Sequence, residues 1–103
     1  MPAVVIRPRA RRDITEILIY YLEAAGADIA SRFRKAASET FRELANSPAI
    51  VALRKVRRPE FRGIRIWRVR GFESYLIFCY PQQDGIAVER VIHASQDYQR
   101  VLG

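Results

Sequence analysis

The residues with the clearest capacity for chemistry are cationic, and most of them fall in one stretch. Between Arg54 and Arg70 the sequence places eight cationic side chains in 17 residues, against one acidic residue, Glu60. Such charges must stay solvated or paired, because burying an unpaired guanidinium is prohibitive. They could protect a solvated strand edge from aggregation. We favour a platform for an acidic surface or a phosphate backbone, because edge protection needs fewer charges. The eight are Arg54, Lys55, Arg57, Arg58, Arg62, Arg65, Arg68 and Arg70.

A second group has the residue types of a hydrolytic site but not its layout. His93, Ser95 and Asp97 lie within five residues at the end of a predicted strand. No nucleophile turn or oxyanion loop accompanies them, so we do not predict a Ser-His-Asp triad. The glycines are isolated and form no phosphate-binding pattern. One cysteine, Cys79, and one histidine cannot supply the usual zinc ligands, so we expect neither metal nor cofactor.

Length and composition limit the class of protein. The chain has 103 residues, which predicts a single domain over residues 1–103. It carries 18 basic and 11 acidic residues, for a net charge of +7, and 16 of the basic residues are arginines. This balance predicts an acidic protein partner, a nucleic acid, or both. No segment approaches the roughly 20 apolar residues that cross a bilayer, and we expect a cytoplasmic protein without membrane contact.

The first half of the chain predicts one strand and two helices. Ala3–Arg7 is β-rich and stops at Pro8. A helical stripe follows, which Gly26 ends, and a second helix begins at Asp28 as its cap and closes at Asn46. The short break between the helices predicts an antiparallel hairpin. The apolar stripes are Ile14, Ile17, Leu18, Tyr21 and Leu22, then Ile29, Phe33, Ala37, Phe41 and Leu44.

The second half changes to the period of β-strands. Gly63–Arg70, Ser74–Tyr80 and Ile86–His93 are β-like runs separated by short turns, which predicts antiparallel pairing. Ser95–Leu102 could add a short helix. The predicted fold is therefore α+β: a helical hairpin packed on a four-stranded antiparallel sheet, in the order β-α-α-β-β-β with a short C-terminal helix. Strand alternation would place Arg68 and Arg70 on one face and Arg65 on the other.

This order of elements, together with several local motifs, resembles the ParE/RelE superfamily of bacterial toxins, and its ParE branch more closely. Arg65–Phe78 is similar to the family's second and third strands with their Gly-Phe turn. Asp84–His93 is similar to its last hairpin and strand, and Ala94–Asp97 to the motif that follows. The resemblance covers nearly the whole chain and is most specific over residues 67–93.

The resemblance implies the toxin of a type II toxin–antitoxin pair, which poisons DNA gyrase by binding rather than by catalysis. It also implies a hetero-oligomer with a cognate, ParD-like antitoxin whose acidic C-terminal segment wraps the toxin. An Arg-rich surface suits such a segment. The residues expected to bind the antitoxin are Leu18, Tyr21, Arg65, Trp67 and Arg68. Those expected to contact the target are Arg57, Arg58, Arg70, Arg90 and His93.

An alternative within the same superfamily is a ribosome-dependent endoribonuclease that resembles RelE. RNA cleavage needs a base, an acid and cations for the transition state, which Arg65, Arg90, His93 and Tyr98 could supply. RelE itself relies on lysines before its second strand, where this chain has only Lys55. We therefore favour a hydrogen-bonded role for His93 at the strand end. A degenerate toxin that keeps only antitoxin binding is a third reading.

Overall fold

The computed structural model describes residues 2–47, 52–53 and 62–96, and it orders them into two helices and five strands. The elements are β1 (Ala3–Ile6), α1 (Pro8–Ala25), α2 (Ala27–Asn46), β2 (Ala52–Leu53), β3 (Arg65–Val69), β4 (Phe72–Gln82) and β5 (Gly85–His93). The predicted order β-α-α-β-β-β and the α+β class are confirmed, with the short β2 as an addition. The predicted C-terminal helix lies largely outside the described residues, which end at Gln96.

Helix α1 begins earlier than its apolar stripe predicts. Pro8 occupies the first turn, where its missing N–H has no partner to lose and its fixed φ suits the helix. The buried face accordingly extends back through Asp13 to Ala10. At the other end Gly26, at φ 97°, ends α1 as predicted.

Helix α2 follows Gly26 directly and carries the larger share of the hairpin's buried surface. Phe33, Ala37, Phe41 and Leu44 are buried, as their spacing predicts. The predicted capping role of Asp28 is wrong: Asp28 is the second residue of the helix, and no side chain caps the N-terminus. An acid in the first turn still interacts favourably with the helix dipole.

The sheet has the order β1-β5-β4-β3-β2 and is mixed, which corrects the predicted all-antiparallel sheet. β3, β4 and β5 pair antiparallel, but β1 runs parallel to β5, with Ala3 opposite Gly85 and Ile6 opposite Val88. Short turns force neighbouring strands to reverse direction, and that rule covers only β3 to β5. β1 and β5 are far apart in the sequence and meet only in the folded chain, so no short turn sets the direction of β1.

Two apolar clusters lie on opposite faces of this sheet. The larger one unites the hairpin with alternate strand residues such as Val69, Ile77 and Val88. The smaller one comprises Ile64, Leu76, Phe78 and Ile92, and neither helix contributes to it. Within the described residues, neither helix is apolar enough to span a bilayer.

Candidate functional site

The junction between α1 and β5 is built around one buried ion pair. β1 leaves β5 at Val88, whose carbonyl accepts the Arg7 backbone N–H at 2.9 Å. Beyond Val88 the backbone N–H groups on this edge of β5 need other acceptors, because buried backbone donors must be satisfied. Asp13 supplies them: its Oδ2 accepts the Val91 N–H at 2.9 Å and the Arg90 Nε at 2.8 Å.

The Arg90 guanidinium is held by both oxygens of that carboxylate. A second bond joins Arg90 to Asp13 Oδ1 at 3.2 Å, and the two side chains are only 16% and 10% exposed. Paired N–H···O bonds fix the plane of a guanidinium as well as its position. Arg90, expected as a target contact, is therefore a link between α1 and β5 in this structure.

His93 ends β5 with its ring fixed by a local turn. Its Nδ1 accepts the Ser95 backbone N–H at 3.0 Å and lies 2.7 Å from the Ser95 hydroxyl. In the neutral ring Nε2 then carries the proton and serves as a donor to a partner. The ring also stands edge-on to Tyr75, with centroids 5.0 Å apart. This is the hydrogen-bonded role at the strand end that we favoured for His93 from the sequence. Asp97, the third residue of the Ser-His-Asp group, lies outside the described residues.

A cleft of about 230 Å³ opens between α1 and the end of β5. The Asp13–Arg90 pair, Glu16, His93 and the rings of Tyr20 and Tyr75 line it. The charges of Asp13 and Arg90 neutralise each other, so the negative charge of Glu16 is the uncompensated charge in the lining of the cleft. Among the described residues no cluster of His, Cys, Asp and Glu could hold a metal ion.

The residues expected to bind an antitoxin do not all lie on one side of the sheet: Arg68 lies on the face opposite the helical hairpin. Leu18, Tyr21 and Trp67 are half-buried and pack against the larger cluster, on the hairpin side. Tyr21 contacts the rings of Phe33, Phe72 and Tyr75 within 6.0 Å. These side chains add to the core and keep part of their surface open.

The described arginines of β3 and its turn are partly engaged within the chain. Arg68 is exposed and donates to the carbonyl of Glu73 at 2.8 Å. Arg70 forms an ion pair with Glu43 of α2 at 2.5 Å, although its side chain is 71% exposed. The prediction that Arg68 and Arg70 share a face is wrong, because the register shifts after Arg68 and Arg70 turns towards α2. Near this turn the cationic surplus is therefore smaller than the sequence suggests.

Arg65 does lie on the face opposite Arg68, next to Cys79 on β4. Burial raises the pKa of the Cys79 thiol to about 11, and the Arg65 charge opposes part of that rise. Burial, followed by a hydrogen bond with Tyr21, raises the pKa of Tyr75 to about 12. Both groups are therefore neutral at physiological pH.

Only part of the predicted residue sets is brought together. Arg90 and His93 both line the cleft, whereas Arg65 is not among its lining residues. Arg57, Arg58 and Tyr98 lie outside the described residues. Sequence reasoning missed Asp13 as the partner of Arg90. The available signal was the position of Asp13 on the buried stripe of α1, between Ala10 and Ile17, where an acid needs a cationic partner.

Comparison with known proteins places these features in a family. The family model described as "ParE toxin of type II toxin-antitoxin system, parDE" matches residues 4–98. A solved structure described as "Chromosomal ParDE TA system from P. aeruginosa" is similar in fold, with a TM-score of 0.71 and 17% sequence identity. The alignment covers 90% of this chain and 96% of that one. No curated protein sequence matches significantly.

Proposed function

The chain belongs to the ParE toxin family of type II toxin–antitoxin systems, and on that premise we propose that it inhibits DNA gyrase and is neutralised by a cognate antitoxin. The family match over residues 4–98 carries the proposal. The inhibitor acts in the cytoplasm by binding, traps gyrase on cleaved DNA and blocks replication. It catalyses no reaction of its own and needs no cofactor.

The proposed antitoxin is ParD-like and binds through an acidic, partly disordered C-terminal segment. The half-buried Leu18, Tyr21 and Trp67 offer apolar contacts, and Arg65 and Arg68 offer charge. An extended acidic segment gains both kinds of contact as it orders and wraps from the hairpin side of the sheet to the face that carries Arg68. The net charge of +7 supports the same choice of partner, because it speeds the approach of an acidic chain.

The target contacts are proposed among the arginines of the second half and at the end of β5. Arg70 keeps most of its side chain in solvent despite its ion pair with Glu43, so it can exchange that partner for a carboxylate or phosphate of the target. His93 presents Nε2–H at the edge of the cleft. Arg57 and Arg58 stay in the proposed set on the strength of the sequence alone. Arg90 would influence the target contacts only by fixing the position of β5.

Binding is favoured over RNA cleavage because the proposed nuclease set lacks a free cation at its centre. A nuclease would need Arg90 to face the transition-state phosphate. In this structure Asp13 holds its guanidinium with two hydrogen bonds, and little of the side chain is exposed. Recruiting Arg90 would require breaking that buried pair.

The test pairs a gyrase assay with a ribosome assay on the same purified chain. We expect inhibition of supercoiling with accumulation of cleaved DNA, and no A-site cuts in primer extension on translated messages. His93→Ala should not create or remove RNA cleavage. Ribosome-dependent cuts that His93→Ala abolishes would replace the gyrase proposal with the nuclease alternative. A folded chain that affects neither assay would indicate a degenerate toxin.

Antitoxin binding is tested separately with the co-expressed partner. Arg68→Glu places an acid on the proposed contact surface, and we expect the antitoxin affinity to fall by about tenfold or more because like charges then meet. Gyrase inhibition by the free toxin should persist. Arg32→Glu, an exposed α2 variant with the same change in charge, is the matched control. Equal losses in both variants would argue against a local antitoxin site at Arg68.

A further inference from the structure

Four arginines surround the start of α1 and belong to none of the surfaces proposed above. They fall within six residues and are all exposed: Arg7, Arg9, Arg11 and Arg12. Arg7 lies 3.9 Å from Glu89 of β5, in an ion pair whose side chains are 48% and 32% exposed. The other three form no ion pair in the part of the chain that the structure describes. We call these four residues the α1 arginine group.

The position of the α1 arginine group costs stability rather than adding to it. The N-terminal end of a helix favours acids over cations, and the first turn of α1 has no acid. Like charges one turn apart also repel each other, as Arg7 and Arg11 do. Charge on an edge strand can prevent aggregation, which accounts for Arg7 at the end of β1 but not for the three arginines on the helix. A bound anion would relieve both costs.

The helix spreads the four side chains over its solvent side. Arg9 and Arg12, at i and i+3, are neighbours on one flank of α1. Arg7 and Arg11, at i and i+4, are neighbours on the other flank, and the buried Ala10 lies on the side that faces the core. The two flanks are separated by about 10 Å, the diameter of a helix with its side chains. An anionic chain that crosses the outward side of the first two turns can therefore meet guanidinium groups on both flanks.

Little negative charge offsets the group from within its own segment. Between residues 2 and 15 the sequence has one acid, Asp13. Its carboxylate is already held by Arg90, at 2.8 Å and 3.2 Å. The one ion pair of the group, between Arg7 and Glu89, joins exposed side chains and is therefore weak. The start of α1 keeps its positive charge available to a partner.

The α1 arginine group fits a rigid polyanion better than an acidic polypeptide. A disordered acidic segment needs apolar burial to compensate for the entropy that it loses on ordering. The large hydrophobic residues exposed in the described chain all lie outside the group; they are Val5, Ile19, Tyr20 and Leu22. Val5 points away from the hairpin, because it alternates with Val4 and Ile6, which pack against the hairpin's cluster. A duplex nucleic acid is already ordered and is held through its phosphates, so it needs no such apolar contact.

We propose that the start of α1 is a docking surface for the phosphate backbone of duplex DNA, which it binds without reading the base sequence. Guanidinium groups suit phosphates because their planar fork can donate two hydrogen bonds to one anion. Duplex DNA carries one negative charge per roughly 1.7 Å of its axis, so a surface about 10 Å wide meets several phosphates. The proposal does not depend on the proposed function, since it concerns the free chain and DNA alone.

Fluorescence anisotropy of the tag-free chain with a labelled duplex of about 20 base pairs tests the proposal. Binding should weaken between about 0.05 and 0.2 M NaCl, because each neutralised phosphate releases a counterion. In a plot of log affinity against log salt concentration, the four arginines should supply a slope of roughly −3.6, at about −0.9 for each phosphate. Two duplexes of unrelated sequence should bind with the same affinity, since phosphate contacts carry no sequence information.

A matched pair of double variants separates this surface from the net charge. Arg9→Gln combined with Arg12→Gln should weaken binding at low salt by about tenfold or more and make the salt slope shallower by about 2. Arg32→Gln combined with Arg34→Gln removes the same charge from exposed positions on α2 and should keep the slope. Thermal unfolding checks the fold: the α1 variant should melt no lower than the unchanged chain, because it removes cations from the helix N-terminus.

Three outcomes would overturn the proposal. The folded chain could fail to bind the duplex even at about 0.05 M NaCl. The two double variants could lose affinity and slope equally, and binding would then follow the net charge rather than the α1 arginine group. In the third outcome, polyglutamate of matched charge binds as tightly as the duplex and loses its affinity in the α1 variant, and the surface then belongs to an acidic polypeptide.

Discussion

At the scale of single residues, the contact between α1 and β5 depends on the carboxylate of Asp13, which accepts hydrogen bonds from three donors. Asp13 accepts two N–H groups of Arg90 and the backbone N–H of Val91. Removing one partner of a buried pair leaves the other charge without compensation, which costs far more than losing a surface ion pair. The role of Asp13 is therefore to hold α1 against β5, and with it the position of the cleft.

We expect Asp13→Ala to lower the free energy of unfolding by about 3 kcal/mol, measured by urea denaturation with circular dichroism. That is a large share of the roughly 5–15 kcal/mol of a typical domain. Glu16→Ala, one turn further along and without an ion pair in the described structure, should change stability by less than about 0.5 kcal/mol. Similar losses in the two variants would mean that the ion pair contributes no more than an exposed side chain.

Cys79 makes the stability sensitive to alkaline pH. Burial raises the pKa of its thiol from 9.0 to about 11 in the folded chain. The folded state therefore holds a proton that the unfolded state releases, and stability falls as pH rises from about 9 to 11. The loss reaches at most about 3 kcal/mol, since each unit of pKa corresponds to about 1.4 kcal/mol.

Cys79→Ala should flatten the fall in the free energy of unfolding over this pH range, although its absolute stability is lower because a cavity is created. Tyr75 keeps a remaining slope above pH 10, because burial raises its pKa to about 12. Urea denaturation at a series of pH values measures both slopes. An unchanged slope in Cys79→Ala would show that the thiol does not titrate differently on folding.

At the scale of elements, the parallel pairing of β1 depends on one glycine. Gly85 opens β5 opposite Ala3 at φ 151°, and a Cβ there would overlap the backbone of Ala3. The Ala3 backbone N–H also donates to the backbone carbonyl of Asp84 at 2.5 Å. We expect Gly85→Ala to cost at least about 2 kcal/mol and to speed amide exchange in β1. Gly71→Ala, at φ 87° in open space, is the control for backbone strain alone.

The sequence predicted the elements better than their contacts. Periodicity identified both helices and the strands β3 to β5, because spacing along the chain determines which face is buried. The direction of β1 and the turn of Arg70 towards Glu43 could not be read this way. The first depends on how distant elements meet, and the second on a register shift after Arg68. Arg90 is the same case, since its partner Asp13 lies 77 residues away.

At the scale of the whole molecule, the dominant electrostatic feature is the net charge of +7. Asp13, Glu43 and Glu89 each face an arginine, so several of the 11 acids are engaged internally. Each of these contacts pairs one acid with one arginine, so the net charge of +7 stays with the other charged groups. The field of that charge acts over distances beyond contact and guides an acidic chain before it binds.

The proposed antitoxin should therefore associate at a rate that falls with salt. Between about 0.05 and 0.5 M NaCl we expect the association rate constant to drop by about tenfold or more, because screening shortens the reach of the field. The dissociation rate should change little, since it depends on short-range apolar contacts such as those of Trp67. Stopped-flow kinetics with an acidic antitoxin peptide measures both. A peptide with its acids replaced by amides is the control. If that peptide binds with the same salt dependence, the net charge of the toxin does not guide the encounter.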